Sequence, residues 1–266
     1  MLLRGTILLG MICICACASA PEIFSPSPDR AQNLPEDLEG LLALADTLQG
    51  QRGASPHQLD RSLAAIEAAR NAHQSAAYEL DWRVARGASL LGRALSDAEQ
   101  RRGLMRQALE AGRRATSAAP DRVEGHYFLA VALAFDAEDR QELERIAPLA
   151  EQAARAVAID ASYDEAGPLR LLGKVYLEAP EWPTSIGDKE KAVELLSRAV
   201  ELAPTALNQY FLGEALYHDE QLGEAQQALR SAMAQSGAGR LGSPWRALAK
   251  EYLEEIGLAG FEGGSP

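Results

Sequence analysis

Apolar side chains recur along this chain with a helical period, and the runs are separated by glycine, proline and polar breaks. The first run is carried by Leu38, Leu41, Leu42, Ala45 and Leu48 and stops at a break containing Gly50 and Gly53. Further runs predict helices over 58–72, 78–91 and 104–118, the last closed by Pro120. The paired pattern then returns as 123–135 with 149–159, as 169–177 with 189–202, and as 207–217 with 222–233. Ser243 and Pro244 are followed by Trp245, Leu248, Ala249, Tyr252, Leu253 and Ile256. They read as an N-cap, a proline at the first helical position and an amphipathic terminal helix over 243–258, with a flexible tail at 259–266. Helices alternate with turns throughout, so the pattern predicts an all-α chain.

Two of these runs are nearly the same sequence: Tyr127-Phe128-Leu129-Ala130-Val131-Ala132-Leu133 and Tyr210-Phe211-Leu212-Gly213-Glu214-Ala215-Leu216. A third variant, Leu169-Arg170-Leu171-Leu172-Gly173-Lys174-Val175-Tyr176, lies between them. A helix pair of this size cannot bury its apolar face alone, so recurrence implies neighbours stacked into one continuous core over 37–242. The spacing resembles the tetratricopeptide repeat. Leu212-Gly213, Leu216, Ala225, Leu229 and Ala232 fall at that family's offsets without a gap. Leu172-Gly173, Tyr176, Ala192, Leu196, Ala199 and Pro204 do so once seven extra residues are allowed between the two helices. Leu129-Ala130, Leu133, Leu149, Ala153 and Ala156 form a third repeat with an insert of the same size, and Ala161 stands where proline is expected. Trp82, Ala85, Ala108, Ala115 and Pro120 mark an earlier one. The resemblance implies a right-handed superhelical array of antiparallel helix pairs, about five in number, closed by a C-terminal capping helix. The inserts and Ala161 depart from the regular signature, which implies an irregular pitch there.

The run from Asp164 to Arg170, with Tyr176, Pro180-Glu181-Trp182-Pro183 and Gly187-Asp188-Lys189, is similar to bacterial tetratricopeptide proteins that resemble regulators of microtubule dynamics. An exported, lipidated array of this kind looks more loosely like the T-component of tripartite ATP-independent periplasmic (TRAP) transporters.

Composition refines this picture. Apolar residues make up 47% and aromatics only 6% of 266 residues, with alanine prominent, which suits helices that approach closely. A net charge of -12 opposes any binding mode built on phosphate neutralisation, so nucleic acid is not an expected partner. Steering of cations or basic peptides stays open beside the simpler reading of an acidic, solvated surface. Cysteine occurs only at Cys13, Cys15 and Cys17. Around them, Arg4 and the apolar run from Ile7 to Ala16 make residues 1–20 a signal peptide, too short to span a bilayer. Ile14-Cys15-Ala16-Cys17 resembles a lipobox that would place lipid on Cys17. Cleavage after Ala18-Ser19-Ala20 and an uncleaved anchor are the alternatives, the former opposed by Pro21 directly after the cut. Prolines at 21, 26, 28 and 35 mark residues 21–36 as an extended tether between membrane and body. The expected location is therefore exported and periplasmic, on a membrane.

Candidate chemistry is sparse. His57, His73, His126 and His218 lie far apart in sequence without a Cys or Glu partner at metal-ligand spacing, so neither metal nor cofactor is expected. No phosphate-binding loop or nucleophile elbow occurs, and Gly187-Asp188-Lys189 has no preceding strand; Asp188 reads as a helix N-cap. The expectation is a non-enzymatic scaffold for a protein or peptide partner, with an auxiliary transporter subunit relaying a small ligand as the alternative. The family resemblance puts Arg83, Tyr127, Arg170 and Tyr210 on the concave wall, with Lys174 and Glu214 one turn further on. Arg and Tyr are residue types enriched where proteins hold partners. Against this stands the reading that the tyrosines pack within their own repeats and the arginines pair with local acids. Trp182, between Pro180 and Pro183, is either an exposed contact on the insert or a plug folded back into a gap.

Overall fold

The computed structural model describes residues 23–51, 53–73, 76–140, 142–235 and 244–262. Eleven helices are found among them: α1 (Leu38–Gly50), α2 (Pro56–Ala72), α3 (Ala77–Ala94), α4 (Ala98–Ala118), α5 (Val123–Arg140), α6 (Ile146–Ile159), α7 (Tyr163–Glu178), α8 (Lys189–Leu202), α9 (Ala206–His218), α10 (Leu222–Ala234) and α11 (Pro244–Glu262). The chain divides into two compact units, one ending at Ile159 and the other starting at Asp160. The first holds the pairs α1/α2, α3/α4 and α5/α6; the second holds α7/α8 and α9/α10, followed by α11. Each pair is packed face to face, so the structure is an all-α array of helix pairs.

Local chemistry starts these helices where the backbone N–H groups of a first turn need acceptors. Asp37 accepts from Gly40 N at 2.8 Å, Asp97 from Gln100 N at 2.8 Å, Asp188 from Lys191 N at 2.9 Å and Thr205 from Asn208 N at 3.3 Å. Within each pair, small residues set the spacing. A Cβ on Gly173 would lie 2.7 Å from Leu196 Cγ, and one on Gly213 would lie 2.6 Å from Leu229 Cγ. The glycine of one helix is thus the socket for the leucine of its partner, which is the physical content of the repeated Leu-Gly. Ala192, Ala215, Ala225 and Ala232 fill the remaining crossings of the second unit, around Leu196, Tyr210, Phe211 and Leu229.

The observed elements exceed the apolar runs where polar residues also prefer helix. Helix α4 starts at Ala98 instead of 104, because Asp97 caps a polar first turn. Helix α5 continues to Arg140 instead of stopping at 135; Glu138 pairs with Arg93 at 2.9 Å, Asp139 with Arg101 at 2.7 Å, and Asp136 with Arg145. That extension and a short 3-10 turn at Leu143–Arg145 take up the insert between α5 and α6. The other insert, 179–188, is a loop.

The division between the units falls beside Ala161, where the repeat signature lacks its proline. Immediately after it Asp164, Glu165 and Ala166 take left-handed backbone angles, with φ of 50°, 56° and 61°. Such a conformation costs on the order of 1 kcal/mol or more per non-glycine residue, so neighbouring groups must hold it. Residues 23–36, expected to form part of a tether, lie along the first unit. Phe24 N donates to Gln100 Oε1 at 3.1 Å, Gln100 Nε2 returns a bond to Phe24 O at 2.6 Å, and the phenyl ring packs on Leu59, Leu91 and Leu95. Arg30 reaches Asp60 at 2.6 Å and Glu67 at 2.9 Å. The signal peptide, the lipobox at Cys17, the cap at Ser243 and the last four residues of the tail lie outside the described residues.

Candidate partner-binding site

In the second unit the left-handed turn aims the Glu165 carbonyl at two side chains. Arg170 Nη1 donates to it at 3.1 Å and Asn208 Nδ2 at 2.9 Å, while Arg170 also donates to Asn208 Oδ1 at 2.8 Å. Asn208 is fully buried and donates to Ala203 O at 2.7 Å, so one amide ties the start of α7, the end of α8 and the start of α9 together. These bonds offset the strained backbone at 164–166. Arg170 remains partly open to solvent, with Asp164 at 4.0 Å.

One turn along, the structure brings together Lys174, Tyr210 and Glu214, and it buries all three: 3%, 2% and 6% of their surfaces remain exposed. Lys174 Nζ lies 2.8 Å from Glu214 Oε2 and 2.6 Å from Glu178 Oε1. Burial by itself favours the neutral amine, yet Glu214 and Glu178 together hold the Lys174 pKa above the usual lysine value. Tyr210 and Tyr252 both donate to Glu214 Oε1, at 3.3 and 3.4 Å. Burial, and then the same carboxylate, raise the pKa of both hydroxyls, which keeps them protonated donors. Tyr252 also meets His218 Nε2 at 3.3 Å. His218 titrates below its ordinary 6.5, chiefly through burial, which the pull of Glu214 opposes and Lys174 assists. Tyr252 comes from α11, and so does Trp245, whose ring stands 5.6 Å from that of Tyr210. The terminal helix therefore covers the wall that α9 would otherwise present.

Arg83 and Tyr127 belong to the first unit. The Arg83 guanidinium forks onto Asp46, with Nε to Oδ1 at 2.9 Å and Nη2 to Oδ2 at 2.7 Å, and Nη1 donates to Glu79 O at 2.7 Å. It lies 4.0 Å above the Trp82 ring, which in turn stacks on Phe128 at 5.6 Å. Tyr127 is buried with its ring 5.0 Å from Phe128. All six residues expected on the concave wall thus have roles inside their own unit, and Arg170 retains the most open side of its charge. Trp182 is 85% exposed, on the loop between α7 and α8, and does not plug a gap.

Sequence reasoning passed over Asn208 and Glu178, and it gave His218 and Tyr252 no part in this cluster. Asn208 carried a signal: it shares the apolar stripe of α9 with Phe211 and Ala215, an odd position for an amide unless its bonds are satisfied. Tyr252 carried none, since its partner is remote in sequence. Among the described residues, no three His, Cys, Asp or Glu side chains are grouped to hold a metal ion, and no described helix is long and apolar enough to cross a membrane.

No family model matches the chain, and no curated protein matches it. Among solved structures it is similar to a thermophilic TPR protein of Thermus thermophilus, with a TM-score of 0.62 and 20% identity over 82% of this chain and 99% of that one. At that identity the likeness concerns architecture: this chain has the tetratricopeptide-repeat fold that its Leu-Gly spacing predicts.

Proposed function

We propose that this chain is a non-enzymatic interaction scaffold that holds a protein or peptide partner against the first helices of its repeats. The observation that supports the reading is the fold: stacked helix pairs spend their apolar faces on one another, and within each unit the remaining helix faces are left for contacts. In the second unit Arg170 is the contact on the wall of first helices, while Lys174, Tyr210 and Glu214 stiffen the helices behind it. A planar guanidinium fixed by Asn208 is preorganised for a carboxylate or a backbone carbonyl on the partner. We place the protein outside the cytoplasm, lipidated at Cys17 and held on the periplasmic face of a bacterial membrane.

The test is a crosslinked pull-down from membranes with the native chain and Arg170→Glu. Loss of one discrete partner in the variant supports the reading, and equal recovery overturns the role of this wall. Recovery of transporter subunits would favour the auxiliary-subunit alternative. Separately, Cys17→Ser is expected to move the chain from the membrane to the soluble fraction without changing thermal unfolding; an unaltered distribution refutes lipid anchoring.

A further inference from the structure

The loop 179–188 is built to hold its shape. Gly187 N donates to Pro180 O at 2.9 Å, Asp188 N to Tyr176 O at 2.9 Å, and Thr184 N to Glu181 O at 3.0 Å. Glu181 and Gly187 form a backbone bridge, and a Cβ on Gly187 would collide with Ala179 O, so only glycine fits there. At the outer end of this closed loop stands Trp182, 85% exposed. The backbone that carries this large apolar side chain is already ordered, so binding there need not remove loop freedom. The other two tryptophans are housed differently. Trp82 is buried under Arg83, and Trp245 is packed against Tyr210.

We infer that Trp182 is a docking anchor for a positively charged segment of a partner protein, with the indole face receiving an arginine or lysine side chain and Glu181 flanking it. Tryptophan has the strongest cation-binding ring of the side chains. The Glu181 carboxylate beside it is exposed and, among the described residues, is matched only by Lys189 at 3.4 Å, an exposed pair that an incoming guanidinium can share. With Asp188 and Glu190, both exposed, Glu181 gives the loop and helix start three carboxylates against Lys189 and Lys191, a net negative charge of one, and the whole chain carries -12. The first unit shows the same combination of groups satisfied internally, where the Arg83 guanidinium lies 4.0 Å over the Trp82 ring with Glu79 alongside. The inference does not rest on the wall formed by α7 and α9 and stands or falls separately from it.

The test titrates the full-length protein into a fluorescein-labelled decapeptide of alternating arginine and glycine, and into its isosteric citrulline counterpart, reading affinity by anisotropy in native chain and variant alike and, in the native chain, protection of tryptophan emission from acrylamide. Trp182→Ala leaves the net charge unchanged, so general attraction of a basic peptide to an acidic protein cancels in the comparison. The arginine peptide is expected to shield emission in the native chain and to bind Trp182→Ala about three- to tenfold more weakly. The citrulline peptide should bind the native chain as weakly as the variant binds arginine. Equal affinity of native chain and variant, no binding to the native chain, or equal binding of the two peptides would each overturn the assignment. Trp182→Ala that retains recovery of the Arg170-dependent partner separates failure here from failure of the scaffold reading.

Discussion

Each unit of this molecule buries a cation beside the first helix of a repeat, and the two solve the same electrostatic problem in different ways. In the first unit Arg83 spreads its charge over Asp46, Glu79 and the Trp82 face, and both carboxylates keep more than a third of their surface in water. In the second unit Lys174 offers a compact ammonium to Glu178 and Glu214, where the Glu214 side chain is 8% exposed and roofed by Tyr252. A guanidinium can satisfy its donors at the border of a core, whereas an ammonium drawn inside depends on nearly complete enclosure by acceptors. The first arrangement is a surface clamp; the second is a locked interior that ties α7, α9 and α11 into one unit.

Breaking the two cations should therefore have unequal consequences. Lys174→Ala leaves the Glu214 carboxylate buried without its ammonium and should cost about 3–5 kcal/mol, read as a lowered denaturation midpoint at constant slope. Joint replacement of Lys174 by Met and Glu214 by Gln should recover most of that loss. Gly213→Ala comes next, at about 1–3 kcal/mol, because Leu229 must leave its socket. Arg83→Ala should cost only about 1–2 kcal/mol, since Asp46 and Glu79 regain water. If Arg83→Ala proved as damaging as Lys174→Ala, the contrast between clamp and lock would be wrong. Ser55→Ala, far from either cation, removes the cap of α2 and should cost about 1 kcal/mol.

The smallest effect is a dependence on pH expected of the second unit. His218 titrates below 6.5 in the fold, so the unfolded chain takes up a proton first as pH falls. Its contribution is neutral above that value, and stability declines as pH drops through 6.5 until the folded histidine also titrates. His218→Gln should flatten this part of the stability profile as pH falls through 6.5; an unchanged slope would show that the histidine is not the titrating group.

The helix pairs are readable because burial imposes a period, and Leu172-Gly173 and Leu212-Gly213 name the crossings that Leu196 and Leu229 fill. Helix ends are less readable. Ser55 and Pro56 give the same start signal as Ser243 and Pro244, yet the apolar run of the second helix sets in only after its polar first turn, so periodicity alone starts it two residues late. The continuation of α5 past 135 rests on ion pairs to Arg93, Arg101 and Arg145, which no local pattern reveals. The candidate wall is legible as a set of positions and illegible as a surface. Repeat offsets indicate the register of Lys174, Tyr210 and Glu214, but the covering of Tyr210 and Glu214 comes from α11, whose docking on α9 is a tertiary fact. Trp182 shows the reverse, since flanking prolines give no indication of whether its loop turns inward or outward.

Whether the open wall holds a partner is tested most directly by photo-crosslinking in cells with benzoylphenylalanine placed at position 164, exposed beside a retained Arg170, or at position 198, an exposed arginine on the second helix of the same repeat. One discrete adduct is expected from 164 and none of that mass from 198. Identical adduct patterns at the two positions, or no adduct at 164, would contradict a partner on this wall.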